Sequence, residues 1–161
     1  MKNLALIVCV LLVFFAGCNS ERTYYEELIE NKSISERVVE LNKSLTEIRK
    51  SESKKALIKE EDDYLEYEYK IGKDETYTIT YFFDVAGCYE VGLDTYFNNE
   101  IDAQLVLENI KEEIESINEF GVAKNSNDLY LWSNKDGIAS VELDYANLNK
   151  GMISFTVFAN E

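Results

Sequence analysis

An α+β fold is what this amino-acid sequence predicts: an antiparallel meander sheet of about six strands in βββαβββ order, covered by one central helix and preceded by a helical lead. Three observations predict it. Residues 21–60 contain no glycine or proline and are rich in Glu, Lys, Leu and Ile. From Tyr64 onward apolar residues recur at every second position in several short stretches. Between two groups of such stretches stands one long segment of helical period, "NNEIDAQLVLENIKEEIESINEFG".

In the lead, Thr23 with Glu26 and Ser33 with Glu36 match the capping-box pattern, which predicts two helices or a bend near Asn31. Ile34, Val38, Leu41, Leu45 and Ile48 then recur at alternating steps of four and three. They predict an a/d seam of about two heptads, docked on the chain's own domain rather than on a second copy. Ala56-Leu57-Ile58 offers one further docking point, and "EEDD" (60–63) reads as a solvated linker.

In "YLEYEYKI", Leu65, Tyr67, Tyr69 and Ile71 share one face and Glu66, Glu68 and Lys70 the other. After the turn "GKDE", Tyr77, Ile79, Tyr81 and Phe83 oppose Thr76, Thr78 and Thr80, which predicts a hairpin with one buried and one wet face. A third strand over 88–97 places Tyr89, Val91, Leu93 and Phe97 together. The central helix, 101–118, takes its cap from Asn98 or Asn99, its apolar stripe from Leu107, Ile110, Ile114 and Ile117, and its left-handed stop from Gly121. Three more strands follow: "DLYLW"; "IASVELDY", with Ala139, Val141, Leu143 and Tyr145 on one face; and "MISFTVFA", with Ile153, Phe155, Val157 and Ala159 inward. The predicted organisation is a removable segment 1–17, a mostly helical lead 18–60 and an acidic α+β domain 61–161.

The first twenty residues carry the most specific motif. Lys2 supplies a positive charge, Leu4 to Phe15 is unbroken apolar sequence, and Ala16-Gly17 leaves small side chains before Cys18. This is the layout of a secretory signal, too short for a membrane span of about 20 residues. "FAGC", 15–18, resembles the lipobox of bacterial lipoproteins, with Phe15 where that family prefers Leu. The resemblance implies cleavage before Cys18, a diacylglyceryl thioether on its sulfur, and a lipid-anchored protein of the bacterial cell envelope. Asn19 is not the Asp that favours inner-membrane retention, so the outer membrane is the expected destination in a two-membrane host. Several buried acyl chains, at about 0.8 kcal/mol per methylene, make such an anchor stable. Of the three cysteines, Cys9 then leaves with the signal, Cys18 carries lipid, and Cys88 remains as the sole thiol, so no internal disulfide is expected.

Composition narrows the chemistry. There is no histidine, the commonest neutral-pH base and transition-metal ligand. A net charge of −15 argues against nucleic acid and anionic headgroups as partners. The excess lies wholly in 61–161, while 18–60 is balanced. No phosphate-cradling glycine loop and no serine elbow is found. Cys88 has no base near it in sequence and reads as a buried structural thiol. Neither "EEDD" nor Asp144, Asn147 and Asn149 has calcium-loop spacing. No catalytic residue, metal or cofactor is assigned.

Eleven tyrosines remain, five of which, Tyr64, Tyr67, Tyr69, Tyr77 and Tyr81, cluster on the first hairpin. Tyrosine packs well across strands and is also enriched at protein interfaces. The sequence therefore predicts a non-enzymatic protein-binding module using Tyr67, Tyr69, Tyr77 and Tyr81, or, if a helix covers their face, the wet face with Glu66 and Glu68. A basic protein is the expected partner, as for an inhibitor or immunity-type protein against a cationic effector such as a basic toxin or lysozyme. A structural or assembly accessory lipoprotein is the alternative, and a small-molecule or metal-binding lipoprotein a further one.

Overall fold

A computed structural model describes residues 22–160, which form one α+β unit. Three short helices, α1 (Tyr24–Leu28), α2 (Ile34–Val38) and α3 (Leu45–Ser51), precede the sheet. Four strands follow: β1 (Leu57–Glu61), β2 (Tyr64–Ile71), β3 (Glu75–Asp84) and β4 (Gly87–Tyr96). The long helix α4 (Glu100–Ser116) leads to β5 (Lys124–Ser126), β6 (Leu129–Ser133), β7 (Ala139–Asp144) and β8 (Met152–Ala159).

All eight strands join one antiparallel sheet in the order β1-β2-β3-β4-β8-β7-β6-β5. Each half of the chain is a four-stranded meander, and the last strand closes on β4 to weld the two. Val91 faces Val157 and Leu93 faces Phe155 across that seam. The predicted architecture holds in outline, with eight strands in place of about six. The two additions are the outermost strands, β1 and β5. The division expected between residues 60 and 61 falls inside β1, whose Glu61 pairs with Tyr64.

The break expected near Asn31 is present, but the seam from Ile34 to Ile48 is carried by two helices rather than one. A third capping box, Ser44 with Glu47, restarts the chain, and Asn42 sits at φ 66°, outside helical geometry. In each of the three boxes the hydroxyl accepts from the backbone three residues on, and the Glu carboxylate accepts from the capping residue's N–H. Each such cap contributes about 1 kcal/mol, which lets very short helices persist on a packed surface. Ile34 and Ile48 are fully buried, whereas Val38, Leu41 and Leu45 are only partly covered. At the break, Asn42 N–H donates to the Cys88 carbonyl at 2.7 Å and Cys88 N–H donates to the Lys43 carbonyl at 2.8 Å.

That contact lies at a β-bulge. Phe82 pairs with Glu90 and Phe83 with Cys88, so Tyr89 is the extra residue. The bulge inverts the alternation expected there: Cys88 is buried with Val91 and Leu93, and Tyr89 is exposed. The predicted faces of β2, β3, β7 and β8 are as observed. On α4, Asn99 accepts from Asp102 N–H at 3.0 Å, and Ala103, Val106, Leu107, Ile110 and Ile114 are buried. The helix ends before an extended Ile117, so Gly121, although left-handed at φ 71°, lies beyond its terminus.

Leu28, Ile34 and Ile48 share a single core with α4 and the inward residues of the strands. The four helices therefore cover one face of the sheet. The other face bears no element among the described residues.

Candidate functional site

The covered face is the one that holds the hairpin tyrosines. Tyr67, Tyr77 and Tyr81 are each no more than 1% exposed, and Tyr69 is half-buried. Cross-strand register stacks Tyr69 on Tyr77, ring centres 5.0 Å apart, and sets Tyr67 edge-on to Tyr81 at 6.1 Å. The rings of Tyr67, Tyr77 and Tyr81 are core packing with no surface left for a partner, and Tyr69 keeps only part of its surface in water.

Their hydroxyls meet a buried charge cluster supplied by the lead. Arg37, fully buried on α2, donates through Nη1 to Glu52 Oε1 at 3.2 Å and to the Tyr81 hydroxyl at 3.1 Å. Tyr81 donates to Glu40 Oε2 at 2.7 Å and lies 2.6 Å from Glu52 Oε1. Lys32 Nζ closes the ring with Glu40, with Glu52 at 2.6 Å and with the Ser51 hydroxyl at 2.9 Å. Tyr69 donates to the second Glu52 oxygen, and Asn31 donates weakly to Tyr77 at 3.4 Å.

Burial pushes the Glu52 carboxyl up, but the Arg37 charge and the donors from Lys32, Tyr69 and Tyr81 outweigh it and hold its pKa at about 2. Burial chiefly, with Glu52 and Glu40 adding to it against Arg37, raises the Tyr81 hydroxyl and keeps it a donor. The Nε and Nη2 atoms of Arg37 are buried without a partner among the described residues. The cluster thus fastens the helical lead to the sheet.

Of this cluster the sequence pattern singles out Tyr69, Tyr77 and Tyr81 but not Lys32, Arg37, Glu40 and Glu52. Arg37 lies on α2, Lys32 and Glu40 lie outside its two ends and Glu52 caps the end of α3, so no shared helical face marks them in the sequence.

The uncovered face carries Glu66 and Glu68. Hydrogen-bonded register lays two rows across it: Glu66, Thr80, Gly92, Thr156, Glu142 and Glu68, Thr78, Asp94, Ser154, Asp144. Ser154 donates to Asp94 at 2.5 Å, and Tyr64 donates to Glu66 at 3.0 Å. Gly92 leaves the middle flat, since a Cβ there would stand 2.5 Å from the Thr80 hydroxyl. At one end Phe82 packs between Tyr64 and Tyr89, ring centres 5.0 Å and 6.3 Å away, with Phe158 beside Glu90 on the next strand. Burial, with Glu142 nearby, raises the pKa of Glu90. Cations are few here. Lys59 lies over the Tyr64 ring at 4.9 Å and pairs with Glu61 at 2.9 Å.

Cys88 is buried, and burial pushes its thiol up to about 12, with Glu40 and Glu90 adding to the shift. "EEDD" is the β1–β2 hairpin rather than a linker, with Glu60 paired to Arg49. Among the described residues, no three His, Cys, Asp or Glu side chains gather as metal ligands, and no helix is long and apolar enough to cross a membrane. Cys18 and the predicted signal segment lie outside the described residues. Comparison of the chain with protein families, with characterised proteins and with solved structures gives no match.

Proposed function

We propose that this chain is a lipid-anchored, non-enzymatic protein-binding module of the bacterial cell envelope, held through Cys18 and presenting its open sheet face to a basic protein. The observation that carries the reading is that face. Glu66, Glu68, Asp94 and Glu142 alternate with short hydroxyl side chains on a flat surface edged by Phe82 and Tyr89. Carboxylates in such rows accept from Lys and Arg, the short Thr and Ser side chains admit close approach, and the aromatics supply anchor area. The net charge of −15 steers a cationic partner toward the domain. An inhibitor or immunity-type role against a cationic effector follows from the same chemistry.

Two measurements test it. Palmitate should label the wild type and not Cys18→Ser; equal label on both removes the anchor. A partner recovered from the host envelope should associate more slowly as salt rises, and Glu66→Lys with Glu68→Lys should slow it further at low salt. Salt-independent association, indifferent to those reversals, would leave the acidity as a solubility feature and favour the accessory-lipoprotein alternative.

A further inference from the structure

We infer that the end of the domain built from α1, the first turns of α4 and the β2–β3 turn rests on the membrane itself, with Ile101 and Leu105 in the headgroup region. This rests on the reading of Cys18 as the lipid-bearing residue.

The starting point is a surface cavity of about 730 Å³ whose lining includes Arg22, Tyr24, Tyr25, Lys73, Leu105 and Val106. Leu105 on its rim is 59% exposed, and Ile101, one helical turn earlier, is 73% exposed. Two large aliphatic side chains side by side at the start of an otherwise acidic helix have no role in the core.

The length of chain to the anchor places a bilayer at the same spot. Three residues stand between Cys18 and Arg22, so the four backbone steps keep the Cys18 backbone within about 14 Å of Arg22 on the cavity rim whatever path the chain takes. The position of Arg22 relative to α4 is set by firm contacts of α1. Tyr25 donates to Glu113 on α4, and that carboxylate also accepts from Ser35 N–H and its hydroxyl, both at 2.8 Å. Tyr24 donates to Glu75 at 3.0 Å at the end of the sheet, and Asn98 joins the same oxygen at 2.6 Å.

The chemistry of the rim suits a neutral lipid surface. Lys73 is exposed and can reach lipid phosphates while its stem lies along apolar groups, and Arg22, also exposed, pairs with Glu30 at 2.5 Å in an exposed ion pair that a phosphate can exchange. Glu27 and Asp102 stand on the same rim, and the net charge of −15 opposes an anionic surface. Burial of Ile101 and Leu105 at the depth of amphipathic surface helices, about 5–10 Å, then adds to the anchor. The open sheet face lies on the other side of the sheet from these helices and stays free for a protein.

The test uses the full lipidated chain in phosphatidylcholine vesicles. Leu105→Cys and, separately, Val122→Cys are labelled with bimane. Cys88 is buried and Cys18 acylated, so each chain carries one reactive thiol. Val122 is 86% exposed and lies beyond the far end of α4, about 25 Å from its start. The label at 105 should shift to the blue and lose fluorescence to brominated phosphatidylcholine, while the label at 122 does neither. Ile101→Asp should diminish the quenching at 105 without changing Trp132 emission, which reports the fold. Flotation of the protein with the vesicles and equal, weak quenching at both positions overturns this inference and leaves the anchor standing. Failure to float, with no lipid on Cys18, overturns both.

Discussion

Replacing Arg37 by Met removes the one fully buried cation among the described residues and keeps most of its volume, so the change isolates charge from cavity formation. In the wild type the guanidinium stands 3.2 Å from Glu52 and 4.0 Å from Glu40, whose side chains are each 1% exposed. Without it, two desolvated carboxylates share Lys32 as their only neighbouring cation in the cluster, and Tyr81 loses the donor at 3.1 Å. Breaking a buried pair by removing one partner costs about 3–5 kcal/mol. Domains of this kind have about 5–15 kcal/mol in total, so a third or more of the stability is at stake.

Urea unfolding at pH 7 of a chain beginning at Glu21 measures it, read from the single tryptophan, Trp132, which is 1% exposed. The midpoint should fall at unchanged slope. A companion chain with Arg37→Met, Glu40→Leu and Glu52→Leu should recover part of the loss, because it removes the desolvation of all three charges together while leaving the Tyr81 hydroxyl without its carboxylate acceptors; Lys32 can turn its ammonium to water. A loss below about 1 kcal/mol in the single variant, or a triple variant no more stable than the single, would refute the view that these charges compensate one another.

Glu52 makes the fold acid-sensitive in a definite window. Its carboxyl sits at about 2 in the folded chain against an ordinary 4.5, so its contribution is complete above pH 4.5 and is lost as pH falls toward 2. The shift corresponds to about 3 kcal/mol, and Glu52→Gln should flatten the stability curve across that window in urea titrations at successive pH values. Cys88, buried with a thiol pushed up to about 12, should resist a thiol reagent such as DTNB at pH 8 and react promptly in urea; rapid reaction without denaturant would contradict its placement. Gly151 sits at φ 77° with its missing Cβ only 2.1 Å from the Phe97 carbonyl. Gly151→Ala should therefore cost at least about 1 kcal/mol in thermal or urea unfolding.

The features legible in the sequence are those set by residues a few positions apart. Two capping boxes were readable because the hydroxyl and carboxylate that make them are three residues apart. The faces of β2, β3, β7 and β8 were readable because one side of the sheet is packed and the other is not, which writes a period of two into the chain. The outermost strands, β1 and β5, have no such contrast. β5 is exposed along its whole length, and β1 buries only part of Leu57, so as edge strands they carry no apolar face to announce them.

Tertiary structure alone decided the rest. The Tyr89 bulge exchanges the faces of Tyr89 and Cys88, and what accompanies it is a pair of hydrogen bonds to Asn42 and Lys43, far away in sequence. The role of the hairpin tyrosines depended on which face the helices cover, a question of packing that periodicity along a strand cannot answer. Arg37, Glu40 and Glu52 look in sequence like ordinary surface charges of a helical lead. Only the docking of that lead on β2 and β3 takes them out of water and makes each necessary to the others, because a buried charge is tolerable when its partners are buried with it.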